Sequence, residues 1–155
     1  MSSSDWSACE ALLCQLQPDP STDPELFFLL AELRITYLTT RGLYSQALDS
    51  IEELSASLKE DGADVMQRIF MLIAKADLFR RLGRPERGFS IALRAASVAF
   101  KTRLMTCLFQ AVGLLANILN SNGDHDAAMR LLSAVLPQVR LYSDPCQIVV
   151  LHCIY

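Results

Sequence analysis

Two histidines and five cysteines are the side chains of this chain best suited to metal or nucleophile chemistry. Three of them fall close together: Cys146 and Cys153 stand seven residues apart, two helical turns, with His152 beside the second. A pair so spaced shares one helix face and could begin a zinc site. A closed tetrahedron takes four ligands, however, and this neighbourhood supplies no fourth. Thiolate attack needs a base held in place by a further group, and no acid or carboxamide can be assigned to hold His152. These residues therefore read as buried structural thiols beside an apolar-helix histidine. His125 follows Asp124 in the polar stretch NSNGDHD and reads as a solvated turn residue. The expectation is a chain with no catalytic residue, no metal, no cofactor and no small-molecule substrate.

The charged clusters lead the same way. Glu52-Glu53 and Glu60-Asp61 read as a solvated helix face, and the six glycines are isolated, so no phosphate-cradling loop exists. Arg80, Arg81, Arg84 and Arg87 form a basic knot. It either complements a helix C-terminus or offers a patch to an acidic partner. Over all 155 residues the net charge is −3 without a basic block, which argues against nucleic acid as a partner. Hydrophobic residues make up 52% and charged ones 20%, a balance for an ordered domain. An odd, scattered set of cysteines without a CxxC pair suits a reducing compartment, nuclear and/or cytoplasmic. The opening MSSSDWSACE has an acid and no basic segment, so no secretory leader is expected. The uncharged run between Arg103 and Asp124 reaches spanning length. Thr106, Gln110, Asn117 and Asn120 interrupt it, so a buried helix is expected and no membrane span.

The elements that position these residues are helices. Apolar periodicity of 3.6 places them at about 5–16, 24–41, 45–60, 63–82, 86–100, 104–121, 125–141 and from about 145. Asp23-Pro24-Glu25 and Asp144-Pro145 have the form of a cap followed by Pro at the first helical position. Gly42, Gly83 and Gly123 stand where a helix ends in a left-handed residue, and Asp124 caps the next helix. Gly62 marks another break. The boundary between 100 and 104 has neither Gly nor Pro and is the least marked. Residues 1–23 read as a short helix and linker, and 24–155 as a repeat domain.

The glycines keep a ruler. Gly42 to Gly83 is 41 residues and Gly83 to Gly123 is 40. Five residues after each comes a tiny side chain, Ala47, Gly88 or Ala128, followed by a bulky one, Leu48, Phe89 or Met129. Seven residues before each stand Ile35, Ala76 and Ala116. Two antiparallel helices on a short turn pack closely when their crossing point carries a small side chain. Repeated hairpins of this kind bury their faces against one another.

This pattern resembles the tetratricopeptide repeat. With the turn glycines at that family's turn, Ile35, Ala76 and Ala116 take its first small position, and Ala47, Gly88 and Ala128 its second. The chain departs from the family in its period of about 40 and in Ala31, Leu72 and Val112 where an aromatic is usual. The resemblance implies an all-α helix-turn-helix repeat solenoid, a right-handed superhelical stack. It also implies a concave surface drawn from the first helices, with Leu29, Glu32, Thr36, Thr39 and Thr40 from the first unit. The second unit would give Phe70, Ile73, Asp77, Arg80 and Arg81, and the third Gln110, Gly113, Asn117, Asn120 and Ser121. Glu32 and Thr36 stand where co-chaperone members carry Lys and Asn, and Gly113 where a basic residue is wanted. A carboxylate clamp is therefore not expected.

Residues 83–137 carry a narrower resemblance. The run LRAASVAF, a leucine-rich helix ending LANILN, and the helix AAMRLLSAVLPQ follow in the order found in the fifth-subunit family of the anaphase-promoting complex. That resemblance implies a non-catalytic scaffold in a cullin-RING-type ubiquitin ligase of the cell cycle. Its partners would be the other subunits: the large platform subunit, subunit 4 and the small subunit 15. A peptide-binding tetratricopeptide adaptor outside that complex is the alternative. A small all-helical enzyme is a third reading, without clustered groups to start from. Members of the ligase family are longer, and the ruler places the next turn glycine near 163, so a fragment of a longer protein is expected.

Overall fold

The computed structural model describes residues 24–57 and 64–142, together with Ala11; the side chains of 138–142 fall outside that description. The described segments are helical: α1 (Pro24–Thr40), α2 (Tyr44–Ser57), α3 (Val65–Arg81), α4 (Pro85–Lys101), α5 (Met105–Ser121) and α6 (His125–Tyr142). Each lies within a few residues of its expected span. The helices expected over 5–16 and from 145, the linker before Pro24, Gly62 and the Cys146, His152, Cys153 group lie outside the described residues.

Four of the connections have one geometry. Gly42, Gly83 and Gly123 have φ of 76°, 72° and 83°, and Arg103 takes the same place with φ 58°. The N–H of the residue in this place bonds the carbonyl three back, and the next N–H reaches five back. Gly83 donates to Phe79's neighbour Arg80 at 3.1 Å and Arg84 to Phe79 at 2.9 Å; Arg103 donates to Phe100 at 3.2 Å and Leu104 to Ala99 at 3.0 Å. This arrangement satisfies helix-end carbonyls and reverses the chain in three residues. The least marked boundary in the sequence is therefore built like the others, with an arginine held in the left-handed region that glycine normally occupies. As a result, the four helices α3 to α6 begin at residues 65, 85, 105 and 125, twenty apart.

The starts of α3 and α6 carry side-chain bonds, whereas Arg84 before α4 and Leu104 before α5 make none. Asp124 accepts from the Ala127 N–H at 3.2 Å, the cap its sequence position implied. At α3 the Asp64 N–H donates to the Gln67 side chain at 3.3 Å, half of a capping box. Near the other end of α6, Pro137 stands inside the helix and removes one backbone donor. It and Ser133, four residues earlier, are both exposed, so the carbonyl left over faces water.

The chain divides into two compact units, one ending at Asp61 and the other starting at Gly62. In the first, α1 packs on α2 and buries Phe28, Ile35 and Leu38 with Ala47, Ile51 and Leu54. In the second, α3 packs on α4, α4 on α5 and α5 on α6, and α3 also touches α5. Helix α4 is thus covered from two sides, and its buried row is all small: Gly88, Ala92, Ala95, Ala96 and Ala99. Small side chains let helix axes approach closely. The bulk of that core comes from the neighbours, with Ile69 on α3 and Leu115 and Ile118 on α5. Phe109 and Ala116 meet Ala128 and Leu132 where α5 joins α6.

The expected crossing points are contacts. A Cβ on Gly88 would lie 2.8 Å from the backbone oxygen of Ala76 and 3.4 Å from the N of Arg80. The two small positions of the second hairpin, Ala76 and Gly88, therefore touch. Ala116 and Ala128 are buried together in the third. Ile35 and Ala47 are buried in the first.

Candidate partner-binding surface

The residues expected on a concave surface lie on α1, α3 and α5, the first helix of each hairpin. On α1, Glu32 is half-buried and Thr36 and Thr40 are exposed. The Thr40 hydroxyl donates to the Thr36 carbonyl at 2.8 Å, and Thr39 does the same to Ile35 at 2.7 Å. These bonds turn the hydroxyls back onto their own helix, so they present methyl groups outward more than free donors.

On α3, Asp77, Arg80 and Arg81 form one cluster. Arg80 donates from Nε and a terminal nitrogen to Asp77 Oδ1 at 2.9 and 2.7 Å, and Arg81 Nε donates to Oδ2 at 2.6 Å. The three side chains are part-exposed, at 26% for Asp77, 23% for Arg80 and 38% for Arg81. Pairs so open to water contribute little each, but shared on one carboxylate they fix three side chains in place. Arg80 and Arg81, counted in the sequence both with a basic knot and with the concave row, are thus paired internally. Their spacing of three and four from Asp77 is the signal that assigns them an internal partner instead. Arg84 and Arg87 remain exposed beyond the turn.

On α5, Gln110 and Asn120 are exposed and Asn117 is half-buried. The Asn117 carbonyl accepts from Ser121 at 2.8 Å. His125 is exposed, as its place in the turn implied, and its Nδ1 donates to the Asn120 side-chain oxygen across the Gly123 turn. Gly113, expected in the same stripe, is buried and lines no open surface. Asp77 and Asn117 stand 40 residues apart in sequence, as do Arg80 and Asn120. The helices that carry them pack against each other. Within the second unit the cluster on α3 and the amide row on α5 are thus matching positions on neighbouring helices. Glu32, Thr36 and Thr40 belong to the first unit.

Among the described residues these rows carry carboxylate, guanidinium, amide and hydroxyl groups and no thiol. Cys107 packs half-buried against the core of the second unit, and burial pushes its thiol up from the ordinary range. That disfavours the thiolate and its nucleophilicity. Among the described residues no three His, Cys, Asp or Glu side chains gather around a common point where an ion could sit. No helix among them is long and apolar enough to cross a membrane. No protein-family model, curated protein or solved structure matches this chain.

Proposed function

We propose that this chain is a non-catalytic scaffold, a tetratricopeptide-like solenoid of helical hairpins in a right-handed superhelical stack that holds protein partners. Within that class we assign it to the platform of the anaphase-promoting complex. The observation that carries the scaffold reading is the contact of Gly88 with the backbone of Ala76. It joins the two small positions that a tetratricopeptide hairpin brings together. Support also comes from the left-handed turns at Gly42, Gly83, Arg103 and Gly123 and from helices that begin every twenty residues in the second unit. The assignment to the ligase rests on the order of LRAASVAF, LANILN and AAMRLLSAVLPQ in residues 83–137.

The mechanism is presentation. Packed hairpins hold short polar rows at fixed spacing, and a partner segment is recognised by fit and hydrogen bonding rather than by any bond made or broken. The test is purification of a tagged full chain from dividing cells. Recovery of the ligase subunits in fixed ratio is expected. Recovery of chaperones or other proteins with no ligase subunit would overturn the assignment and favour a free-standing adaptor.

A further inference from the structure

The face of α4 turned away from its packed neighbours lies apart from the concave rows on α1, α3 and α5. Leu93 is 54% exposed and Phe100 69%, the most exposed large apolar side chain among the described residues. Seven residues separate them, so they stand in one row two turns apart. Arg87, Arg94 and Lys101 repeat the same spacing one position later and are all exposed. Among the described residues these three cations have no ion pair, unlike Arg80 and Arg81, which Asp77 holds. Between the two rows lie Ser90 and Ser97, small and exposed.

At about 100° per residue these positions fan over an arc of about 140°. Phe100 and Leu93 lie on one edge, the serines in the middle and the cations on the other edge. The small serines make a shallow floor between a taller apolar row and a taller cationic row. From Arg87 to Lys101 the strip runs about 21 Å at 1.5 Å per residue, the length of four helical turns. Glu86, the one acid on α4, stands seven residues before Leu93 and heads the same row, so the strip carries three cations to one acid on a chain whose net charge is −3.

We propose that the outer face of α4 docks an acidic amphipathic helix of a protein partner. The partner's apolar row would lie over Leu93 and Phe100, its backbone near Ser90 and Ser97, and its carboxylates against Arg87, Arg94 and Lys101. The charge complement selects the partner's acids, and the serine floor admits a helix at close range. A membrane surface calls for a broader apolar face than two side chains give. Nucleic acid calls for a wider cationic field than this chain has. The inference concerns a different helix face from the concave rows and stands whether or not the ligase assignment holds.

The experiment uses the full chain and a labelled amphipathic peptide of about 18 residues, helical, with Glu and Leu rows spaced by seven. Controls are a scrambled peptide, the same peptide with Lys for Glu, phosphatidylserine vesicles and a single-stranded oligonucleotide. Anisotropy should show binding of the acidic peptide that weakens with salt. Phe100→Ser should reduce it about tenfold, as should the triple variant Arg87→Glu, Arg94→Glu, Lys101→Glu. The triple variant should gain the Lys peptide, which an unfolded chain would not do selectively. The proposal is overturned if the wild-type chain ignores the acidic peptide or binds its scrambled form equally well. It is also overturned if only vesicles or oligonucleotide bind, or if both variants keep wild-type affinity.

Discussion

Arg103 holds a backbone conformation that costs an L side chain about 1–2 kcal/mol and glycine almost nothing. Since its side chain is exposed, Arg103→Gly should stabilise the chain by about 0.5–1 kcal/mol after the extra entropy of an unfolded glycine is counted. A urea titration reads this as a higher midpoint with unchanged slope. At Asp77 the direction is opposite. Asp77→Asn leaves Arg80 and Arg81 without their carboxylate, yet all three are part-exposed, so a loss of about 0.5–1 kcal/mol is expected. Cys107 gives a pH test. Its raised folded value means that the native state keeps the proton after the unfolded thiol has lost it. Stability should therefore be whole below the ordinary thiol range and decline as pH rises through it. Alkylation of Cys107, followed peptide by peptide, should be slower in the native chain than in urea at the same alkaline pH; equal rates would remove burial as the cause. The left-handed arginine was not legible beforehand, because nothing in its residue type announces the conformation. What could have shown it is its place, twenty residues from both Gly83 and Gly123.

At the scale of elements, α3, α4 and α5 follow one recipe: a helix, a left-handed stop and a new start within three residues. The starts are where side chains contribute most visibly. Asp124→Ala removes the bond to the Ala127 N–H and should cost about 1 kcal/mol. Proton exchange at the first turn of α6 should quicken while that of α4 does not; uniform quickening would mean that the second unit opens as a whole. The helices were legible because their apolar spacing and their glycines agree. The crossing points were legible too, since a tiny residue five places after a turn has a steric purpose when two helices are close. The partnering of exposed polar groups was less so. Thr40 and Ser121 bond their own helix, and His125 bonds Asn120 across a turn. Such bonds depend on rotamers, which a period does not specify. The concave rows were inferred from the family pattern alone, and within them burial removes Gly113.

For the whole molecule, α4 is the organising helix of the second unit. It carries a buried row of glycine and alanine with bulk supplied by α3 and α5, and its opposite side carries the cationic and apolar rows. Helices packed this way are sensitive to added volume in the small row and tolerant of change on the outer rows. Position 88 tests this most directly because two effects oppose each other there. In an isolated helix, Gly to Ala stabilises by about 1 kcal/mol. Here the added Cβ would lie 2.8 Å from the backbone oxygen of Ala76, which cannot rotate away. Thermal melts of Gly88→Ala and Gly88→Val, beside Ser90→Ala and Ser90→Val on the exposed side, separate the two. The account predicts that both Gly88 variants melt lower than wild type, Val more than Ala, with Gly88→Ala down by about 1–2 kcal/mol net, while the Ser90 variants stay close to wild type. A Gly88→Ala chain that melts higher than wild type would contradict the close crossing of α3 and α4, and with it the hairpin stack on which the scaffold reading stands.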